Sequence, residues 1–172
     1  MSIRTSVARR AIAMLSSALL FVAVACSNVA VNTELAPGAD LAGRKTYAWV
    51  PNPQMGGALD ASIAGQEIHA DVDQALQAHG YQPAGAQAPD MLVDYRVILR
   101  QQMDIQGGPG WGGVSTYNYT EGTLIVALTN PQDGYFLWRG IAQGIVDPTG
   151  SGSAQGQDIQ SAIQQMFAKF PN

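Results

Sequence analysis

The chain has 172 residues, with 13 acidic side chains against nine basic ones and a single cysteine. This length suits one domain, a single cysteine excludes a disulfide within the chain, and the acidic balance disfavours a nucleic-acid partner. Three of the basic residues lie within the first ten positions, so the rest of the chain is more acidic still.

The first 26 residues have the pattern of an export signal that ends in a lipidation site. Three arginines precede an apolar run over residues 11–25, which is shorter than a membrane-spanning helix and has the length of a signal-peptide core. Ala23 and Ala25 stand before Cys26, as in lipoproteins whose cysteine is acylated and becomes the first residue. Several acyl chains give the stable membrane anchoring that one chain cannot. We therefore predict a signal peptide over residues 1–25 and lipidation of Cys26.

Two alternatives fit the same stretch. An ordinary signal peptidase could cut after Ala25 and leave Cys26 as a free thiol, and Arg9 with Arg10 gives a weak match to a twin-arginine signal. The lipoprotein interpretation is favoured because an exposed free thiol is a liability in an oxidising compartment. Ser27 stands where aspartate would favour retention in the inner membrane, so we expect the outer membrane, with the protein facing the periplasm.

The start of the mature chain predicts a tether followed by one domain. Residues 26–43 are interpreted as the lipidated tether, in which the alternation at 28–35 could add an edge strand. Residues 44–172 are interpreted as a single α/β domain. Its first strand is predicted at 45–50, where Tyr47 and Trp49 share one face.

Residues 60–79 predict an amphipathic helix. Ile68, Val72 and Leu76 recur at helical spacing and form one apolar stripe. Asp60 or Ser62 could cap its start, and Gly80 is placed for a left-handed conformation at its end.

A longer strand is predicted at residues 91–105, after a linker at 82–89. Its apolar side chains share one parity, whereas Arg96 and Arg100 share the other, so the pattern indicates a half-buried strand with one wet face. A strand of this length is expected to contain a bend or a bulge.

The remaining segments alternate between glycine-rich loops and regular elements. Residues 106–119 are rich in glycine and aromatic side chains and predict a mobile loop or a hairpin extension. A hairpin is predicted from strands at 122–129 and 135–146. A flexible loop at 147–156 and a final helix at 158–170 follow.

The predicted order is therefore β-α-β-β-β-α, with the leading edge strand as an addition. Two amphipathic helices need one apolar surface to cover, and one face of a mixed four- to five-stranded sheet supplies it. The expected class is α/β (α+β), with both helices on one face.

An ordered set of short motifs resembles a known family. The motifs are KTYAW at 45–49, Gly80-Tyr81, PDMLV at 89–93, YTEGTL at 119–124, Trp138-Arg139-Gly140 and Met166-Phe167. Together they resemble the bacterial lipoproteins that carry domain of unknown function 4136. The resemblance implies an envelope lipoprotein with a mixed α/β domain, and it implies no reaction and no catalytic residues.

Metal binding is not predicted. His69 and His79 are ten residues apart, so they point in different directions from one helix. His69 and Asp73 are four residues apart and could meet, but two ligands do not make a metal site.

No catalytic set or cofactor site is predicted either. The glycines at 107–113 are followed by a strand, whereas a phosphate loop needs a helix, and no serine lies in a nucleophile elbow. Asp94, Asp104 and Glu121 could approach across strands as a carboxylate pair, but solubility explains them better. We therefore expect a role other than catalysis.

Aromatic and basic side chains give a candidate binding surface: Trp111, Tyr117 and Tyr119, with Arg96 and Arg100. Tyr, Trp and Arg are common anchors at interfaces. The first hypothesis is an interaction module that holds an unknown envelope protein and is attached to the membrane through its lipid. The alternative is a small-molecule or glycan binder with a pocket between sheet and helices, and a hydrolase is the third hypothesis.

Overall fold

The computed structural model describes residues 29–50, 62–106, 115–146 and 152–171. Within these ranges six strands form one sheet, in the order β1-β6-β5-β4-β2-β3. The elements are β1 (Ala30–Leu35), β2 (Thr46–Trp49), α1 (Ile63–Ala78), β3 (Gln82–Pro83), β4 (Met91–Gln106), β5 (Ser115–Thr129), β6 (Phe136–Val146) and α2 (Gly152–Phe167). The predicted fold class is confirmed, with more strands than expected.

The sheet is mixed because two kinds of connection build it. The three pairs β4–β5, β5–β6 and β6–β1 are antiparallel. Strand β2 runs parallel to both β3 and β4, and α1 connects β2 to β3. Parallel strands require such a crossover, whereas antiparallel strands can be joined directly.

Both helices pack on the same face of the sheet, as predicted. The period of two along each strand directs alternate side chains to this face, and those of Val93, Val126 and Trp138 are buried there. The helices fill the space above them with Ile68, Val72 and Leu76 from α1 and with Ile163, Met166 and Phe167 from α2. One continuous core results.

Several details of the first half of the chain are confirmed. The leading edge strand exists as β1. The Ser62 hydroxyl accepts a hydrogen bond from the backbone N–H of Gly65 at 3.1 Å and caps α1, whereas Asp60 lies outside the described residues. Gly80 has a φ of 88°, the left-handed conformation that lacks a steric penalty only in glycine.

The hairpin extension, one of the two alternatives predicted for residues 106–119, is confirmed in the described part of that segment. Strand β5 begins at Ser115 because its polar first half pairs with β4. Two other segments, predicted as a flexible loop and a linker, contain regular structure, so those two predictions were wrong. Helix α2 begins at Gly152, inside the predicted flexible loop. A side chain on Gly156 would lie 2.9 Å from a carboxylate oxygen of Glu67, so the two helices are close to each other here. In the predicted linker, Gln82 donates to the carbonyl of Lys45 at 2.9 Å and forms β3.

The pairing of β4 with β5 does not contain the bulge that was considered for this long strand. The register between β4 and β5 runs without a shift from Leu92 to Gln106. A register shift instead lies between Leu128 and Thr129, where β5 pairs with β6. A continuous partner strand therefore keeps β4 regular over its length.

Asp90 joins the start of β2 to the start of β4. Its carboxylate accepts hydrogen bonds from the backbone N–H groups of Lys45 and Thr46 and from the Thr46 hydroxyl, each at 2.9 Å. These bonds, with that from Lys45 first, lower the pKa of Asp90, because they stabilise its ionised form.

Asp90→Asn is expected to change how stability depends on acidity. A lowered pKa in the folded state means that ionised Asp90 stabilises the fold above the unfolded-state pKa, and that this stabilisation is lost as pH falls through the folded-state value. Wild type should therefore lose stability to urea on acidification below about pH 4, and Asp90→Asn should be weaker at neutral pH and less sensitive to acid. Asp158→Asn, at an exposed position of α2, is the control. Equal acid sensitivity in all three proteins would contradict this role.

Gly140 is the point where α2 comes closest to the sheet. A Cβ at this position would lie 2.7 Å from the Met166 sulfur and 2.9 Å from the Trp138 ring. Both distances are shorter than van der Waals contact, so only glycine fits without movement of these two side chains.

Gly140→Ala is expected to lower the free energy of unfolding by about 1–3 kcal/mol, the usual effect of overpacking a core. Met166→Ala removes one of the two obstructing side chains, so the cost of Gly140→Ala should be smaller in that background. A double-mutant cycle from denaturant unfolding measures this coupling. Identical costs in the two backgrounds would show that the contact with Met166 is not the cause.

Candidate functional site

The face of the sheet that points away from the helices, here called the open face, is not covered by any described element. It consists of the alternate residues of four neighbouring strands. In register these form the rows Asp94–Ala127–Arg139–Glu34, Arg96–Ile125–Ile141–Asn32, Ile98–Thr123–Gln143–Ala30 and Arg100–Glu121–Ile145. The open face is therefore broad, continuous and built on rigid strands.

The structure brings four of the five predicted binding residues to this face. Arg96 and Arg100 lie on it two positions apart in the alternation of β4 and are exposed. Tyr119 lies opposite Gln102, and Tyr117 lies opposite Asp104, which continues the same parity. Tyr117 is 60% exposed and Tyr119 is 37% exposed. Trp111 lies outside the described residues.

An apolar patch lies between the charged positions of the open face. Ile125 and Ile141 are cross-strand partners, and Ile98 is on the next row. All three are half-buried although neither of the described helices covers them, because neighbouring side chains shield part of each one. Flat apolar area framed by polar groups is the common composition of a protein interface.

Arg139 and Glu34 make an ion pair at one side of the open face. An Arg139 guanidinium nitrogen lies 2.6 Å from a Glu34 carboxylate oxygen, and the guanidinium carbon lies 5.2 Å from the centre of the Phe136 ring. The pair links β6 to the edge strand β1. Because both side chains are largely exposed, its contribution to stability is small.

The three carboxylates from which a catalytic pair could have formed, Asp94, Asp104 and Glu121, do not converge. Asp94 and Asp104 are ten residues apart on one straight strand, which separates them by about 33 Å. Glu121 lies opposite Arg100 and accepts a hydrogen bond from the Gln102 amide at 3.2 Å. These positions favour the interpretation of the carboxylates as solubilising groups.

A second group of polar and aromatic side chains lies between β2 and α1. The hydroxyl of Tyr47 and the indole N–H of Trp49 both donate to the same Asp73 oxygen, each at 2.9 Å. Burial, with a further contribution from Asp73, raises the pKa of Tyr47 to about 12. Tyr47 therefore stays protonated and acts as a donor that fixes α1 on the sheet.

The two histidines, His69 within α1 and His79 at its C-cap, belong to different aromatic groups. The ring of His69 lies 3.9 Å from Trp49 and 5.5 Å from Tyr95, measured between ring centres. His79 contacts the end of α2, with its Nε2 atom 3.2 Å from the Phe167 carbonyl oxygen. In the described part of the chain, no group of three His, Cys, Asp or Glu side chains is placed to hold a metal ion.

Sequence reasoning named His69 and Asp73 but missed the group that they form with β2. The signal was present, since Tyr47 and Trp49 were predicted on one strand face and Asp73 follows His69 by one helical turn. Only the packing of α1 against β2 shows that Tyr47 and Trp49 both donate hydrogen bonds to Asp73.

Among the described helices, none combines the length and the apolar composition that a membrane crossing requires.

Comparison with solved structures shows similarity of fold. A PDZ domain protein from Parabacteroides distasonis matches with a TM-score of 0.56 and 13% identity. The match covers 84% of this chain but only 37% of the length of that protein. A PelC dodecamer from Paraburkholderia phytofirmans matches with a TM-score of 0.45 and 15% identity, covering 81% of this chain and 96% of that one. A minor lipoprotein from Acinetobacter baumannii matches with a TM-score of 0.34 and 11% identity, covering 72% and 88%. No curated protein sequence matches the chain.

The family is established by the sequence itself. The model of DUF4136, described as a domain of unknown function, matches residues 31–172. This range contains all six strands and both helices described above, apart from the first residue of β1. The resemblance indicated by the ordered motifs is confirmed, and the chain belongs to the DUF4136 family.

Proposed function

We propose that this protein is a lipid-anchored interaction module of the bacterial cell envelope, acylated at Cys26, that holds a protein partner on its open face. The partner is an envelope protein, and the membrane is reached through the lipid. The proposed location is the outer membrane, with the domain facing the periplasm. The role is one of binding, without catalysis and without a cofactor.

One observation carries this proposal: no element in the described part of the chain covers the open face, and yet this face presents a half-buried isoleucine patch. Ile98, Ile125 and Ile141 lie within a frame that includes Arg96 and Arg100. Antiparallel sheets often leave one face to solvent, but that face is then mainly polar. An apolar patch with a charged frame on rigid strands suits a protein surface that binds and releases a partner.

The alternative, a small-molecule or glycan binder with a pocket between sheet and helices, has less support from the packing. Buried side chains from the sheet and from both helices meet in one continuous cluster there, including Trp138, Ile163 and Met166. Close packing of this kind stabilises the fold but offers little room for a ligand. The geometry therefore favours the open face.

Cys26→Ala is expected to move the protein from the membrane fraction to the soluble fraction when each form is expressed in a bacterium. Intact mass measurement of the wild type should give a chain that begins at Cys26 and carries acyl groups. The anchor supplies nearly all membrane affinity in this proposal, since a chain of net negative charge has no electrostatic attraction to anionic lipid. A soluble wild type without acyl groups would overturn the anchoring claim.

The open face is tested by cross-linking in living cells. A photoreactive amino acid is placed at Arg96 or Gln143 on the open face, or at Gln74 or Gln164 on the outer sides of the two helices, all four positions being exposed. We expect specific adducts with an envelope protein from the first pair only. Adducts from the helix positions alone, or equal adducts from both pairs, would assign the interaction to another surface.

A further inference from the structure

The N-terminal end of β1 and the far end of the β4–β5 hairpin lie at the same end of the sheet. In register, Ala30 lies beside Gln143, Thr123 and Ile98 in turn. Strand β4 continues past this row as far as Gln106, away from the β5–β6 turn. The N-terminal end of β1, the end nearer to Cys26 in the sequence, therefore lies at the end of the sheet from which the hairpin projects.

This end of the domain carries exposed apolar side chains. Leu99 is 59% exposed and Met103 is 65% exposed, although their parity places them on the same side of the sheet as the helices. Ile63, the first residue of α1, is 73% exposed. Leu35, Tyr135 and Phe136 are exposed apolar side chains at the opposite end.

Ile63 belongs to the hairpin end because of the direction of α1. Asp73 contacts Tyr47, which pairs with Met91, whereas His69 contacts Tyr95, four residues farther along β4. The helix thus runs towards the hairpin end as its residue numbers fall, and Ile63 is the residue at that end.

The helix-side surface of the projecting hairpin has no charged residue in its described part. Leu99, Gln101 and Met103 form it on β4, and their partners on β5 are Gly122, Thr120 and Asn118. The charged residues of the same segment, Arg100, Asp104 and Glu121, have the opposite parity. One side of the hairpin therefore has no charged side chain that would oppose contact with the apolar part of a lipid bilayer.

The length of the tether limits how far this end can stand from the membrane. Cys26 stands four positions before Ala30 in the sequence, and four steps of extended chain span at most about 14 Å. From the row of Ala30 to Asp104, β4 extends six residues, or about 20 Å, in the same direction. The hairpin is longer than the tether, so an acylated chain cannot hold the domain clear of the lipid along this direction.

We propose that the hairpin end rests on the lipid surface, with Ile63, Leu99 and Met103 in the headgroup region. The inference rests on the acylation of Cys26 proposed above. The sheet is then tilted, so that the uncharged side of the hairpin and the first turn of α1 meet the membrane together. The open face is left available to a partner.

These contacts orient the domain and do not recruit it. Three apolar side chains bind a bilayer weakly, but a lipid anchor a few residues away gives them a high effective concentration at its surface. An unacylated protein is accordingly expected to show little affinity for vesicles, so the test needs the acylated chain.

The experiment measures the depth of single labelled positions in the acylated, full-length mature protein. Met103→Cys, Leu99→Cys and Tyr135→Cys are labelled with an environment-sensitive fluorophore, Cys26 being blocked by its lipid. The proteins are reconstituted in vesicles of phosphatidylethanolamine and phosphatidylglycerol that contain a nitroxide-labelled lipid. Tyr135 is the matched control, because it is 75% exposed and lies beside the turn at the opposite end.

We expect strong quenching of the probes at positions 103 and 99 and little quenching at position 135. Intact mass and vesicle flotation establish in the same samples whether the protein is acylated and bound, and circular dichroism verifies the fold. An acylated, bound protein with equal quenching at both ends, or with none, would overturn the contact and leave the anchor standing. Absence of acyl groups would overturn the anchor and this inference together.

Discussion

The difference in length between the helices and β4 is the constraint on which the rest of this structure depends. Helices α1 and α2 have 16 residues each and extend about 24 Å. Strand β4 also has 16 residues, but an extended chain of that length covers about 53 Å. Two helices laid along the sheet therefore bury Val93 and Tyr95 and leave Leu99 and Met103 in solvent. The exposed apolar side of the hairpin follows from this partial cover.

Helices on one side only also divide the sheet into two surfaces with different tasks. The helix side holds the core and the Tyr47–Trp49–Asp73 group that fixes α1 to β2. The open face holds the basic and apolar side chains proposed for binding. A substitution on one side is thus expected to act on stability, and one on the other side on recognition, although both lie on the same strands.

Much of this arrangement could be predicted from the alternation along the chain. The parity of residues 91–105 placed Arg96 and Arg100 on a wet face, and the helical spacing of Ile68, Val72 and Leu76 identified α1. The first half of β5 could not be found in this way, because Ser115 to Glu121 is polar and lacks an apolar alternation. Its strand conformation comes from pairing with β4, and tertiary context of this kind often outweighs local preference.

Glycine was the second source of error. The glycine and serine content of residues 147–156 is typical of a loop, yet α2 begins at Gly152. Packing of Ile163 and Met166 in the core stabilises the helix, and such packing contributes more to a helix than local preference does. The binding surface on the open face was predictable only in part, because it depends on how the strands pair. Tyr117 and Tyr119 were noted as aromatic anchors, but their common face with Arg100 depends on the hairpin register, which pairs Arg100 with Glu121.

The position of β1 has a mechanical consequence. Its six residues pair with β6, and its outer edge is tied to the end of α2, where the Lys169 ammonium donates to the Val31 carbonyl at 2.5 Å. In a protein acylated at Cys26, as proposed, tension between membrane and domain would act along the strand axis. The β1–β6 hydrogen bonds are then sheared together and share the tension, whereas a pull across the strand would open them one after another. The tether thus enters the fold in the direction that best resists detachment.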